Sequence, residues 1–380
     1  MEKILFVSLL DWYFTKQRPQ HLAELLSKNN KVEYVCHVSW NTKNIRNHDE
    51  NELISNNFSI SDTLKIRRLK YLPFNKLKPI ALINNFLYKI MIEIIVYRYK
   101  PDILWLTHPE QYNLIPKLFN GKIIYDCMDN YSKFSKDRVV EKHIDALERK
   151  LVNKVNFIIT SSNGLKNKIS CINSNLKIVV IKNATDFEYF NSYINLHEKR
   201  DKESIGISVN KKIIGYFGGI SSWFDVDLLL FLANNYKGCD FVIVGPISNK
   251  SVIPKTAKAD NIKFIGPKEY KKLAAYLYCF DVCIMPFIVN DLIKDVNPVK
   301  LYEYLSMGKP VVVPDYSEIK EFAEYVYLAS GYEDFSKKIG QALAENDACI
   351  IKKRICFAKA NTWENRVDSI NELIAALEKV

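Results

Sequence analysis

The sequence predicts an α/β protein of two domains, each built on a doubly wound parallel sheet. Three observations carry this. The chain has 380 residues, more than one hydrophobic core usually serves. Short apolar runs rich in Ile and Val alternate with helical patterns through its first half. The same alternation starts again at Ile213, after a polar, charged stretch over 191–210. The expected organisation is a domain over 1–190, a linker over 191–210, a domain over 211–360 and a last helix over 361–380.

In the first domain, residues 3–10 have the pattern of a buried strand, 11–17 of a loop and 18–29 of a helix. A second strand covers 31–38. Residues 41–61 are polar and Asn-rich and read as a loop. Further strands are expected at 102–106, 122–126 and 156–160, with a charged helix at 141–154. In the second domain, a strand at 213–217 runs into a Gly218-Gly219 turn and a helix at 225–234. Strands at 241–244, 262–265, 281–286 and 311–313 complete the sheet, and a helix at 269–279 lies between two of them. The amphipathic pattern over 361–379 suits a long helix packed on its own domain.

Composition excludes several classes. An apolar fraction of 48% is ample for a packed core. Eight cysteines without a Cys-x-x-Cys pair argue against a disulfide framework. Cys279 and Cys283 have no nearby His or Cys partners, so no metal site is expected. Residues 4–10 are too short for a signal peptide. Residues 80–99 include Asn84, Asn85, Lys89, Glu93 and Arg98, which makes a poor membrane span. A cytoplasmic protein, soluble or peripheral at the inner membrane face, is expected. The net charge of +11 is uneven: residues 1–190 carry 29 Lys/Arg against 19 Asp/Glu. Within 65–100 there are nine basic residues and one acid. An anionic lipid surface is one partner for such a segment, and a solvated basic face is the plainer reading. Read as a helix, 78–100 gathers its polar residues on one stripe and is otherwise apolar, which also suits burial in its own domain.

Residues 297–313 carry the most chemistry. Pro298 suits the first turn of a helix and Gly308 its stop, with Lys309-Pro310 leading into a β-branched run at 311–313. Glu303 then lies about a turn inside a short helix whose N-terminus faces the loop holding Asp295. A helix N-terminus attracts phosphate. A carboxylate one turn in can accept hydrogen bonds from sugar hydroxyls. Gly218-Gly219, at the carboxyl end of a strand, lets backbone approach a ligand closely. Together these describe a site for a nucleotide-sugar.

The 297–313 stretch resembles the donor-site motif of retaining glycosyltransferases of GT-B fold, the glycogen-synthase-like group with two Rossmann-like domains facing a cleft, in which the last helix, here 361–380, crosses back to the first domain. That group carries two acids eight positions apart, here Asp295 and Glu303, ahead of Gly308-Lys309-Pro310. The chain departs from it in using Asp for the first acid, and in Pro298. The group often adds Arg and Lys after the glycine turn, where this chain has Ile220 to Asp225. Lys300 is the leading substitute cation, with Lys294 second. The run from Gly218 to Asp225 looks like a subgroup of bacterial envelope-sugar transferases. So do residues 17–21, containing Arg18, and 125–131, containing Asp129.

The resemblance implies Asp295 and His108 as catalytic candidates. Gly218, Gly219, Lys294, Val299, Lys300 and Glu303 are the donor-binding candidates, and Asp11, Arg18 and Asp129 lie on the acceptor side. A surface role for His108 is the alternative, and His21 reads as packed in the first helix. The resemblance implies front-face attack with the donor phosphate taking the acceptor proton, and neither metal nor cofactor. The expected partners are a UDP- or GDP-linked sugar and a glycan or lipid-linked acceptor. Two rivals remain. A nucleotide-sugar epimerase of the same architecture would need more inward carboxylates and His residues. A basic nucleic-acid-binding protein would carry an RNA- or DNA-recognition motif, and none is present. Hydride transfer is disfavoured because the loop over 8–18 has no Gly-x-Gly-x-x-Gly. Pyridoxal-phosphate chemistry lacks a suitable Lys motif.

Overall fold

The computed structural model describes residues 1–39, 56–74, 77–196, 202–203, 205–207, 209–249 and 252–377. The chain forms two compact units, Met1–Lys182 with Val367–Val380, and Asn183–Arg366. The first contains β1 (Lys3–Ser8), α1 (Arg18–Leu26), β2 (Lys31–Ser39), β3 (Asn57–Ser59), β4 (Leu64–Tyr71), α2 (Lys78–Tyr99), β5 (Ile103–Leu106), β6 (Lys122–Cys127), α3 (Arg138–Val152), β7 (Phe157–Thr160), α4 (Asn163–Ser170) and β8 (Ile178–Val180). Its sheet runs β3-β4-β2-β1-β5-β6-β7-β8. Every neighbouring pair is parallel except β3 with β4. Residues 4–7 of β1 are fully buried, as the all-apolar run required.

The second unit contains α5 (Phe187–Leu196), β9 (Lys212–Phe217), α6 (Val226–Asn235), β10 (Cys239–Val244), α7 (Val252–Thr256), β11 (Ile262–Gly266), α8 (Tyr270–Cys279), β12 (Val282–Ile284), α9 (Val299–Ser306), β13 (Val311–Pro314), β14 (Tyr327–Ala329), α10 (Gly331–Ala344), α11 (Ala348–Ala360) and the start of α12 (Trp363–Leu377). The order β11-β10-β9-β12-β13-β14 is parallel throughout. Strand order reverses between β9 and β12. In such sheets the crevice for a ligand opens there, at the carboxyl ends of the strands. Gly218-Gly219 directly follows β9.

Several expectations need correction. The chain passes between units at Lys182–Asn183, and residues 191–196 of the expected linker belong to the helix α5. Within the expected 41–61 loop, residues 41–55 lie outside those described, and Asn57–Ser59 pair with β4 as an edge strand. The basic run over 65–70 belongs to β4. Its charges alternate across the sheet and find partners: Arg67 hydrogen-bonds Glu33 twice, and buried Arg68 forms a two-pronged pair with Asp11 at 2.7 Å. From Val367 on, α12 belongs to the first unit, where Asn371 accepts a hydrogen bond from Asn30.

The helix α2 departs furthest. Burial was one reading of its apolar surface, yet only Asn84, Ile92 and Ile95 are buried. Asn84 binds Leu72 through both its amide N–H and its carbonyl, which fixes the helix to the end of β4. An 18-residue stretch of α2 has a mean hydropathy of 1.6, enough with its length for a membrane span by composition alone. Its inner face nonetheless packs in the first unit.

Candidate active site

The site in the second unit is built where the turns after β9 and β10 meet. Gly218 has φ +142° and Gly245 has φ +145°, backbone that side-chain-bearing residues rarely adopt. A methyl carbon on Gly245 would fall 2.0 Å from the Gly218 carbonyl oxygen. The backbones therefore touch, and only glycine permits it. The Gly218 N–H donates to Val244 and the Gly245 N–H to Gly266, so three successive strand ends are tied together. Tyr216 donates its hydroxyl proton to the Gly219 carbonyl at 3.0 Å. The Tyr304 hydroxyl accepts from the Phe217 N–H at 3.0 Å, joining α9 to the end of β9.

Facing this turn is the start of α9. Pro298 stands at the N-cap rather than inside the first turn, and no side chain caps the helix. That end therefore keeps the anion-attracting character of an uncapped helix start. Lys300 reaches back over Gly218: a methyl carbon there would lie 1.8 Å from its Cε and 2.8 Å from its Nζ. One turn on, Glu303 is buried. Burial pushes its carboxyl up to about 7, against the pull of the Lys300 cation and of the nearby Tyr270 hydroxyl. Tyr270 itself is pushed well up by burial, with Glu303 adding to the effect. A cation, a helix start, two glycines and a buried carboxyl thus lie side by side. That arrangement can neutralise a diphosphate and hold a diol.

Asp295 ends a one-turn 3-10 segment, Ile293–Asp295, and is half buried. Lys294 in the same turn is exposed and pairs with Asp291 at 2.8 Å, so its charge is already matched. Val299 opens α9. Lys309 is buried and donates to the Tyr278 and Phe280 carbonyls at 2.8 and 2.7 Å. It ties the loop before β13 to the end of α8, where a cation meets the negative end of the helix dipole. Gly308, at φ +66°, ends α9 as expected.

Sequence reasoning missed four supports of this site. Gly245 sits in an ordinary-looking Val-Gly-Pro and gave no signal beyond its strand-end position. Tyr270 gave none, since nothing local marks it as a partner of Glu303. Asn297 opens the 297–313 stretch, but its pairing with Asn183 spans 114 positions. The Asn183 N–H donates to the Asn297 carboxamide oxygen at 2.9 Å and its side chain to the Asn297 backbone carbonyl at 2.6 Å. Tyr302 also donates to that carboxamide oxygen, so the residue before Pro298 is locked.

Residues 211–345 match the family described as glycosyl transferases group 1. The chain has the GT-B fold, and the group 1 match lies within its second unit. A Bacillus subtilis protein named as a teichuronic acid biosynthesis glycosyltransferase, TuaH, is 24% identical, with 68% of each chain covered. Sucrose-phosphate synthase from Thermosynechococcus elongatus has the same fold, with a TM-score of 0.79 at 14% identity over the whole of both chains. Anabaena HepE, solved with UDP and glucose, gives 0.69 at 14% identity, covering 99% of this chain and 100% of that one.

In the first unit, two of the acceptor-side candidates, Arg18 and Asp11, form two-pronged pairs within the fold. Buried Arg18 forms a two-pronged pair with Asp126, with bonds of 2.8 to 3.1 Å, and donates to the Ile181 carbonyl. Its guanidinium holds β6 to the end of β8. Asp11 is taken by Arg68. Asp129 lies half buried, and its carbonyl accepts the Tyr131 N–H at 3.0 Å. His108 follows β5 and is buried. Its Nδ1 accepts the Glu110 N–H at 3.2 Å, capping a 3-10 turn, and its ring meets the edge of Tyr131 at 4.4 Å. Burial, helped by nearby His37, lowers its pKa to about 4, so it is neutral at physiological pH. His21 is buried in α1 and likewise held neutral by burial.

Arg18→Gln is expected to destabilise the first unit by about 3–5 kcal/mol, because it strands a buried carboxylate. Calorimetry reads this as an earlier first transition. An unchanged profile with altered acceptor kinetics would return Arg18 to a binding role.

Proposed function

We propose that this glycosyltransferase moves a sugar from a UDP-linked donor to a glycan or lipid-linked acceptor in envelope polysaccharide synthesis, with retention of configuration and without a metal ion. The observation that carries the donor reading is Lys300 lying across Gly218 with Glu303 one turn further along α9. The diphosphate would lie against the Gly218-Gly219 turn and the start of α9. Lys300 would meet its charge, and Glu303 would accept hydrogen bonds from the ribose hydroxyls. Asp295 would hold hydroxyls of the transferred sugar. In the step itself, the bond from the anomeric carbon to the diphosphate oxygen breaks. The acceptor oxygen bonds the same face of that carbon, and its proton passes to the departing phosphate oxygen. Lys300 and the helix dipole stabilise the charge that develops there.

The envelope setting is supported by the teichuronic acid name of the Bacillus relative. The choice of UDP is supported by the UDP-glucose held by Anabaena HepE. The test is thermal unfolding with UDP, GDP and their sugar conjugates, each with and without EDTA. Ligand at 100 times its Kd should stabilise by about 2.7 kcal/mol. UDP species are expected to raise Tm equally in EDTA. A shift from GDP species alone would change the base. No shift from any nucleotide would overturn the donor reading. Once an acceptor is found, the anomeric proton coupling of the product tests retention.

A further inference from the structure

The outer face of α2 is apolar and exposed. The helix is 22 residues, roughly 33 Å long at 1.5 Å per residue. At 100° per residue, Leu82, Ile83, Phe86, Leu87, Ile94 and Tyr97 share one arc of about 140°. All six are exposed, Leu82 by 70%, Phe86 by 63% and Tyr97 by 80%. Buried Asn84, Ile92 and Ile95 lie outside that arc and hold the helix to its unit. Just before the helix, Phe74 is 71% exposed at φ +65°, a conformation disfavoured for a side chain of its size. An apolar face of this extent exceeds what isolated surface side chains account for.

The charge around it identifies the partner. Lys78, Lys89 and Lys100 run along one border of the arc and Arg98 stands on the other. Glu93, the single acid of the helix, is exposed and lies within the arc, one turn beyond Lys89. Lys78, Arg98 and Lys100 are exposed, as is Lys70 at the end of β4. A helix with an apolar face, cationic borders and its other side packed on a protein domain suits the interface of an anionic bilayer. A second copy of the same face would bring these cations against one another. We propose that α2 docks the protein on an anionic lipid surface, lying in the plane of the interface with Leu82, Phe86 and Ile94 inserted. The contact residues differ from those the sequence pointed to. Arg67 and Arg68 are committed to Glu33 and Asp11, and reversing their charge would test folding instead.

The proposal stands apart from the donor reading, since it is tested with neither donor nor acceptor. The whole protein is sedimented with vesicles of phosphatidylcholine alone and with added phosphatidylglycerol. Wild type should bind the anionic vesicles and leave the neutral ones. Binding should weaken as salt rises from about 0.1 to 1 M, where the screening length falls from roughly 10 to 3 Å. The double variant Leu82→Ser/Phe86→Ser should lose roughly tenfold or more in partitioning, as expected when two large apolar side chains no longer insert. Lys78→Gln/Lys89→Gln should lose less, and lose it only at low salt. Both pairs should retain the wild-type circular dichroism and thermal profile. No binding by wild type, or equal binding by the serine variant, would overturn the proposal. So would a dimer, seen by sedimentation equilibrium without lipid, that the serine substitutions dissociate.

Discussion

Glu303→Gln is expected to weaken UDP-sugar binding by roughly ten- to a hundredfold, since a charged acceptor to a ribose hydroxyl contributes about 1.5–3 kcal/mol. The fold should survive, because glutamine fills the same space and removes a costly buried charge. Burial raises the Glu303 carboxyl to about 7 from 4.5. A raised folded-state value means the native protein holds the proton more tightly than the unfolded chain. Its stabilising effect is complete below about 4.5 and is lost as pH climbs through about 7. The shift corresponds to an effect on the order of 3 kcal/mol. The glutamine variant should therefore lose less stability than wild type between pH 5 and 8, as read from denaturant midpoints of the second unit. Donor affinity should follow the opposite course. A hydroxyl donates to the ionised carboxylate, so wild-type binding should tighten as pH rises through about 7, with proton release measurable by calorimetry in two buffers. Binding of equal strength and equal pH dependence in the two proteins would remove Glu303 from the donor site.

Gly245→Ala is expected to abolish donor binding and destabilise the second unit. Its methyl carbon would fall 2.0 Å from the Gly218 carbonyl oxygen and 2.7 Å from the carbonyl carbon, both backbone atoms that no rotamer change can move. The positive φ adds strain of about 1–2 kcal/mol. The turns after β9 and β10 must separate, and the Gly218 turn leaves its place under Lys300. Gly218→Ala offers the comparison. Its methyl carbon meets the flexible end of Lys300, which can swing aside, although the positive φ still strains the backbone. It should cost binding through the displaced cation with a smaller loss of stability. Calorimetric unfolding and UDP titration of both variants measure this. Wild-type affinity in Gly245→Ala would mean that the donor does not rest on the abutting turns.

Much of this protein was legible in its sequence because the signals were local. The two sheets showed as apolar runs of the right length, and the restart at Ile213 marked the second. Gly218-Gly219, Glu303 and the Gly308-Lys309-Pro310 ending were legible because helix starts, stops and tight turns draw on neighbouring residues. Short strands escaped. β8 and β14 have three residues each, too few for a period to show. β4 escaped because Lys65, Arg67, Arg68 and Lys70 mask the apolar alternation of Leu64, Ile66 and Leu69. Those charges belong in a strand only because Glu33 and Asp11 face two of them from elsewhere in the chain.

Charge and apolarity in the sequence determined that the first unit is basic and that α2 is apolar nearly all round. They could not determine which face of α2 is buried, because Asn84 and Ile92 are distinguished from Leu82 and Phe86 only by where the sheet lies. The same holds for the site. Sequence spacing placed Asp295 and Glu303 eight positions apart. It could not show that Arg18 is spent on Asp126, 108 positions away, or that Gly245 presses on Gly218. Nor could it show Lys300 reaching Gly218 while Lys294 turns to Asp291. A side chain's role depends on what neutralises or covers it, and for buried charges and touching backbones that partner is supplied by distant segments of chain. Only the packed sheets bring those segments together.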